Sequence, residues 1–513
     1  MEKLYNNNFF LCSTLFFIGG LATLSITPFS ISPLIFILGL GVYIVHKIKS
    51  LKKIFFTGWI LGFGWFLFGL YWIGSAFLVS NTYHVFLMPL AIIVLPCLMA
   101  LFWALAFWFS RYIGNRIGHS IFITIITLSI AEYIRANIFT GFPWLMPSII
   151  LSSNEYTIQI FSFVGSFTGN LIVLIVSLAP IIVYCNWDNK YLIFLILFLP
   201  IIIIFYSAFS RYHHREKLII NDKQLITIVQ PNIKQKDKWN AEKRDNHLKK
   251  LTQLSKFNSK KYKNKFRIII WPETAFEGLI PRDLSLLTNT IKEAGLDNKT
   301  SLVTGLLNIK DQNLFNSMAS ISSLGNIEYI YNKVHLVPFG EYIPFRLLFK
   351  KIAQFISKAD FSSGKNNEVM TLPNLGHVLP LICYEVLFSR EVRKRASNKT
   401  RLIINITNDA WFGSTIGPYQ HFALAKIRAV ELGMPLVRVA NTGISALISP
   451  YGNEIIKIKL NKEDTKTSHL VENLKSTLYR TFGDWIFFIS IFYILFINLL
   501  INKKLNYYRK FIL

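Results

Sequence analysis

Cysteine is scarce in this chain, with four among 513 residues. Cys12, Cys97 and Cys185 lie in or beside long apolar runs. That leaves Cys383 as the lone cysteine of the large polar region, with no disulfide partner there. A single Cys is more often an inert core residue than a reactive one, so its thiol has to be weighed with its surroundings. No His/Cys cluster has the spacing of a zinc site, and neither metal nor cofactor is expected. Acid is scarce as well: 28 Asp and Glu face 55 Lys and Arg, a formal net charge of +27. Nucleic acid could balance that excess. Many of the cations flank apolar runs, however, and an anionic membrane surface suits them better, so nucleic acid is not expected as a partner. There is no internal repeat of fixed period and no low-complexity linker.

Apolar sequence is what the chain has in excess. Hydrophobic residues make up 52% of it and the mean hydropathy is +0.40, too apolar for one soluble globule. The excess is uneven. Eight spans stand out, at 9–26, 31–46, 54–74, 85–109, 119–134, 157–184, 191–209 and 485–501. A crossing needs about 20 apolar residues. The third, fourth and sixth are long enough, while the second, fifth and eighth are short and their ends uncertain. The first lacks a strongly basic start and is followed at once by further spans, so it reads as a span and not as a cleaved signal peptide.

Lys and Arg orient the spans. Lys47, Lys49, Lys52 and Lys53 follow the second, Arg111 and Arg116 the fourth, and Lys503, Lys504, Arg509 and Lys510 the eighth. The segment 75–84 after the third has none. Even-numbered ends are therefore expected in the cytoplasm. This places a transmembrane domain at 1–210, an extracytoplasmic domain at 211–480, and a final span with a cytoplasmic tail at 481–513. One outer loop combines Glu132-Tyr133-Ile134-Arg135 with Gly141-Phe142-Pro143-Trp144-Leu145. Ionisable residues at a span end are functional candidates. Equally, Arg135 could snorkel and Trp144 could anchor at the interface.

The polar domain alternates strand-like and helix-like patterns. Strands are expected at 225–229, 267–271, 301–306, 329–334, 378–382, 402–407, 436–440 and 445–449, and helices at 240–254 and 420–432. This is an α/β domain with strands buried on both faces. Three strands end in a chemically useful group: Glu273 beyond Trp271-Pro272, Lys333, and Cys383. A protonated thiol needs a base or a lowered pKa. A carboxylate in apolar surroundings can take the proton, and an ammonium can stabilise the thiolate and then an oxyanion. The set amounts to a metal-free acyl-transfer site, although each residue alone has an ordinary structural explanation.

Together, Trp-Pro-Glu-Thr at 271–274, Asn-Lys-Val-His-Leu-Val-Pro-Phe-Gly-Glu-Tyr at 332–342 and Cys-Tyr-Glu at 383–385 resemble the nitrilase, or carbon–nitrogen hydrolase, superfamily. Asn408-Asp409-Ala410-Trp411-Phe412-Gly413, Gly417-Pro418-Tyr419-Gln420-His421 and Arg438-Val439-Ala440-Asn441-Thr442-Gly443 narrow the resemblance to its membrane branch, the apolipoprotein N-acyltransferases. The Gly-Phe-Pro-Trp loop and the eight-span layout also match.

The resemblance implies a multi-span α-helical membrane domain plus an αββα sandwich carrying a Glu-Lys-Cys triad. It makes Glu273 the general base, Lys333 the oxyanion-stabilising residue and Cys383 the nucleophile. Glu341 is implied as a supporting glutamate, Tyr384 and Glu385 as residues flanking the nucleophile, and Trp239 as a tryptophan near the substrate. Arg135 and Trp144 match in pattern only. The implied partners are a phospholipid acyl donor, a diacylated apolipoprotein acceptor and membrane lipids, in the bacterial inner (cytoplasmic) membrane with the catalytic domain on the periplasmic side.

Two other readings stay open on the residues alone. One is a membrane-anchored amidase or nitrilase that uses water as acceptor. The other is a transporter with a binding module, against which the near absence of charge inside the spans counts. Finally, the segment 342–361 has Leu348, Ile352, Phe355 and Ile356 at helical spacing among Arg346, Lys350, Lys351 and Lys358. Such an arm could lie at a lipid surface as a lid or pack its apolar face on the domain core.

Overall fold

The computed structural model describes residues 7–79, 83–117, 120–185, 187–256, 265–344, 360–365 and 369–511. The chain forms two units: Met1–Phe77, Thr82–Arg215 and Leu478–Leu513 make one, and Leu78–Asn81 with Glu216–Thr477 the other.

In the first unit the apolar runs are helical, since a helix satisfies every backbone group within its own segment. The helices are α1 (Asn8–Ala22), α2 (Ile35–His46), α3 (Leu51–Leu70), α4 (Met88–Ile117), α5 (Ile121–Asn137), α6 (Ile160–Cys185) and α7 (Lys190–His213). Among the described residues, five helical stretches are long and apolar enough to cross a membrane. Ser32–His46 and Trp485–Leu500 are shorter, and α5 carries Glu132 and Arg135 in its last turns. The most apolar stretch of Val85–Asn115 buries few of its residues, whereas that of Thr157–Cys185 is mostly buried. Val85–Asn115 exposes the large apolar side chains of Phe86, Leu90, Ile93 and Leu98. The sixth apolar run is not one straight helix. Gly165 sits at φ +70° within it, where only glycine is free of a Cβ penalty, and the ring of Tyr479 fills the space beside it.

The second unit contains two sheets. The first has strand order β13-β1-β2-β4-β5-β6, with β3 paired to β4; the second runs β12-β11-β10-β9-β8-β7. In chain order these are β1 (Ile220–Gln230), β2 (Phe266–Ile270), β3 (Leu279–Ile280), β4 (Thr300–Lys310), β5 (Asn313–Ile321), β6 (Ile327–Asn332), β7 (Met370–Leu372), β8 (Gly376–Ile382), β9 (Leu402–Thr407), β10 (Leu436–Ala440), β11 (Ser445–Ile448), β12 (Glu454–Ile458) and β13 (Asp464–Val471). Strands β1, β2 and β4 are parallel, as are β8, β9 and β10.

Alternation along each strand builds two cores. Ile226, Ile228, Ile268, Ile270 and Val303 meet Val378, Ile382, Ile404, Ile406, Val437 and Val439 between the sheets. Ile269, Trp271, Leu302 and Leu306 face outward onto α8 (Ala241–Ser255) and α9 (Leu284–Ala294) through Leu248, Leu251, Leu287 and Ile291. On the second sheet's outer side lie α10 (Ser389–Arg395) and α11 (Gly417–Leu432), the latter almost wholly buried. The expected αββα sandwich is present. The sequence pattern missed β3 and β7, which are only two and three residues long, and β5, β12 and β13, whose polar and charged residues mask the alternation.

Candidate active site

In a parallel sheet the carboxyl ends of the strands are where side chains can leave the packed layer and meet a ligand. Glu273 follows β2, Lys333 follows β6 and Cys383 follows β8.

The Glu273 turn lies directly on β4. Gly305 donates its N–H to the carbonyl of Pro272 at 3.1 Å. A Cβ on Gly305 would stand 2.3 Å from the Thr274 nitrogen and 2.6 Å from the Glu273 Cα, so any larger residue would displace the turn. A second buried cation, Lys238, holds the same turn. Its Nζ donates to the Glu273 carbonyl at 3.1 Å and to the Thr274 hydroxyl at 2.6 Å. Burial pushes the Lys238 ammonium down to about 8, against the pull of Glu273 and Glu277.

Lys333 is 1% exposed. Its Nζ lies 2.9 and 2.8 Å from the two Glu341 oxygens and 3.9 Å from Glu273 Oε1. Burial would discharge it, but Glu341 and then Glu273 outweigh that and raise its pKa, so it stays an ammonium. Asn316 on β5 bridges the two carboxylates, donating through Nδ2 to Glu273 Oε1 at 2.8 Å and to Glu341 Oε1 at 2.9 Å. Glu341 Oε2 also accepts from the Val337 N–H at 2.9 Å. Burial raises the Glu273 pKa and Lys333 opposes it.

Cys383 is half-buried and adopts φ +51°, an uncommon conformation for a residue with a Cβ. It opens a single tight helical turn, Cys383–Leu387. Burial first, and then the charge of Glu273, push its thiol up to about 12, while Lys333 pulls the other way. The Thr407 hydroxyl lies within hydrogen-bond reach of the sulfur. A thiol held above its ordinary value favours the protonated form at rest, so the arrangement suits removal of the proton by a neighbouring base as the sulfur attacks.

Glu385 is 3% exposed and faces inward. Its Oε1 accepts from the Tyr331 hydroxyl at 2.7 Å and from the N–H groups of Val334 and His335 at 2.8 and 3.2 Å. Its Oε2 accepts from the Ile382 N–H at 2.7 Å. One carboxylate thus ties the segment after Lys333 to the residue before Cys383. Tyr384 is buried beside Phe388, with ring centroids 5.1 Å apart, and beside His335. Trp239 is 47% exposed. Its backbone N–H donates to Glu277 Oε2 at 3.2 Å, and it lines a cavity of about 320 Å³ with Arg244, Leu279, Leu307 and Leu314.

Arg135 and Trp144 belong to the first unit, where both are 1% exposed. Arg135 pairs with Glu132 and donates to the carbonyls of Phe142 and Trp144. Trp103 Nε1 donates to Glu132 at 2.7 Å, and the Trp144 ring packs on Trp72 at 4.7 Å. Snorkelling and interfacial anchoring are both ruled out, because neither side chain reaches the surface. The pair fastens the Gly-Phe-Pro-Trp loop to the helix end. In the 342–361 arm, residues 345–359, including Leu348 and Phe355, lie outside the described residues.

Asn316 and Lys238 escaped the sequence reading. Asn316 sits on β5, whose strand signal was weak, and Lys238 adjoins Trp239 without any pattern that marks a buried amine.

Two family models match the chain. The carbon-nitrogen hydrolase model covers residues 225–477, and the apolipoprotein N-acyltransferase N-terminal domain model covers residues 18–179. A protein of Rhodopseudomonas palustris named apolipoprotein N-acyltransferase is 32% identical over 491 residues, covering 91% of this chain and 90% of that protein. One of the same name from Allorhizobium ampelinum is 34% identical over 445 residues, covering 84% and 81%. Another, from Rickettsia bellii, is 33% identical over 499 residues, covering 95% and 97%.

Proposed function

Since the chain belongs to the apolipoprotein N-acyltransferase family, we propose that it N-acylates lipoproteins in two steps, through an acyl thioester on Cys383. The donor is a membrane phospholipid. In the first step Glu273 takes the Cys383 proton as the sulfur attacks an ester carbonyl. The Lys333 ammonium faces the oxyanion that forms, the C–O bond breaks, and Glu273 returns the proton to the departing lysophospholipid. In the second step the free α-amine of a lipoprotein's diacylglyceryl-cysteine attacks the thioester. The C–N bond forms and the C–S bond breaks, and Glu273 moves a proton from the amine to the sulfur. Ping-pong chemistry of this kind needs a nucleophile, a base and an oxyanion partner within reach of one another.

The observation that carries this reading is the buried Lys333–Glu341–Glu273 cluster, with Cys383 held in a left-handed turn beside it. Water must be kept from the thioester. Trp239 and the cavity it lines are the proposed approach for the substrate. The proposed setting is the inner membrane with the second unit on the periplasmic side, and it rests on the Lys/Arg asymmetry.

The test uses purified full-length protein with phospholipid and no acceptor. Cys383 should accumulate an acyl group released by neutral hydroxylamine, and adding a lipopeptide should convert that group into an amide-linked chain seen by mass spectrometry. Steady release of free fatty acid with no amide product would favour the hydrolase instead. Orientation is tested with a cysteine at position 259, outside the described residues, in a chain lacking its native cysteines. An impermeant reagent should label it in intact spheroplasts; labelling only after lysis would reverse the topology.

A further inference from the structure

Behind the nucleophile lies a buried polar cluster that the reaction above does not use. Leu381 on β8, Asn405 on β9 and Arg438 on β10 are register neighbours across three strands. Their alternation partners Ile404, Ile406, Val437 and Val439 fill the core between the sheets, so Asn405 and Arg438 face the other side. Asn405, Asp409, His421 and Arg438 are each fully buried. Arg438 donates to Asn405 Oδ1 through one terminal nitrogen. Through the other it reaches both Asp409 oxygens, at 3.0 and 2.8 Å, and His421 Nδ1 at 2.9 Å. The two groups thus oriented both reach the chain around the nucleophile. His421 Nε2 lies 3.3 Å from the carbonyl oxygen of Cys383, and Asn405 Nδ2 lies 3.3 Å from the Leu381 carbonyl and 3.5 Å from that of Cys383.

We infer that His421 is a positioning residue for the proposed reaction: its Nε2–H holds the Cys383 carbonyl and so keeps the nucleophile in its left-handed turn, with Arg438 and Asp409 orienting the ring. The inference rests on Cys383 as nucleophile. The donor assignment follows from chemistry. A carbonyl oxygen only accepts, so the hydrogen between it and Nε2 belongs to the ring. At the other nitrogen, Nδ1 accepts from Arg438 in the neutral ring or donates to Asp409 Oδ1, 2.9 Å away, in the charged one. Nε2 carries a hydrogen in both states, whereas the other neutral tautomer, with its hydrogen on Nδ1, would set that N–H against the Arg438 donor and a bare Nε2 against the carbonyl oxygen. Burial and then Arg438 lower the imidazole pKa, which favours the neutral ring.

Two features argue against mere packing. A buried ion pair is weak evidence for stability, because apolar residues of similar volume often serve as well or better. A Cβ-bearing residue at positive φ is strained and persists only where its surroundings over-determine it. The cluster supplies that determination at the residue whose sulfur has to be aimed.

The test separates the two ring nitrogens. His421→Asn places an amide near Nδ1 and can satisfy Arg438 and Asp409, but it falls short of the Cys383 carbonyl. His421→Gln reaches toward the Nε2 position and can still donate there. Turnover of His421→Asn should fall by roughly 30-fold or more with KM nearly unchanged, the signature of a misaimed reacting atom. His421→Gln should restore most of it. Equal impairment of the two variants, or normal turnover in His421→Asn, would overturn the inference. If neither variant folds, ¹⁵N-histidine spectra of the wild-type protein decide: a protonated Nε2 at position 421 is required, and an unprotonated one refutes the assignment. Cys383→Ala measured alongside keeps the two readings apart. An active Cys383→Ala removes the nucleophile itself, whereas an inactive one with a normal His421→Asn removes only the positioning role.

Discussion

Replacing Glu385 by glutamine tests whether one buried carboxylate sets the distance between amine and thiol. Three donors converge on Oε1 and one on Oε2. Glutamine has a single acceptor oxygen. Its better orientation keeps that oxygen toward Tyr331, Val334 and His335, which turns the amide NH₂ against the Ile382 N–H. Two donors then face each other in a site 3% exposed. Leaving a buried donor unsatisfied costs about 1–3 kcal/mol. A loss of about 2 kcal/mol in a unit of this size lowers the apparent Tm by roughly 4–8 °C.

The disturbed bond is at Ile382, the residue before Cys383, so the thiol moves relative to Lys333. A shift near 1 Å can cost about 100-fold in rate. The assay pairs acyl-transfer kinetics with thermal unfolding of the detergent-solubilised protein. Turnover of Glu385→Gln within twofold of wild type, with an unchanged Tm, would refute the reasoning. Glu385→Ala strands all four donors, at a cost on the order of 4 kcal/mol or more against a typical total of about 5–15, and should lower the Tm well below that of Glu385→Gln.

Lys333→Ala should depress turnover far more than it raises KM, since the ammonium acts on charge that develops in the transition state; an effect confined to KM would reassign Lys333 to binding. With the thiol pushed up to about 12, alkylation of resting Cys383 by iodoacetamide should keep accelerating above pH 9, with no plateau near the ordinary thiol value; a plateau there would show a free, unperturbed thiol. The Glu273 pKa is raised by burial and the base must be ionised to act, so turnover should fall as pH drops through that raised value, and Glu273→Gln should abolish the acidic limb together with most activity. Gly305→Ala drives a methyl into main-chain atoms of the Glu273 turn and should remove at least about 100-fold of the rate, with a pH profile unlike that of Glu273→Gln; wild-type kinetics would show that the turn can give way.

The placement of Glu273, Lys333 and Cys383 just past strands was legible in the sequence, because two of those strands have an unmistakable apolar pattern: Arg267-Ile-Ile-Ile-Trp271 before Glu273, and Val378-Leu-Pro-Leu-Ile382 before Cys383. Such runs have few other places to go than a buried sheet, and the residues just past their carboxyl ends are left at its rim. The apolar runs were legible as helices for the same reason, since their length and lack of charge leave the helix as the usual solution in lipid, although five of the eight, among the described residues, are long and apolar enough to cross a membrane. The partners of these groups were not legible. Nothing in Asn313–Ile321 announces that Asn316 bridges two glutamates 43 and 25 positions away. Nothing in Arg438 or His421 announces that Arg438 meets Asn405 and Asp409, or that the His421 ring lies 3.3 Å from the Cys383 carbonyl oxygen. Local pattern records which face of an element is apolar. A hydrogen bond between residues far apart in the chain depends on sheet order and register, which appear only when the elements pack. The same holds for Glu385: its position beside Cys383 could be read from the chain, but its inward orientation toward four donors was decided by the fold.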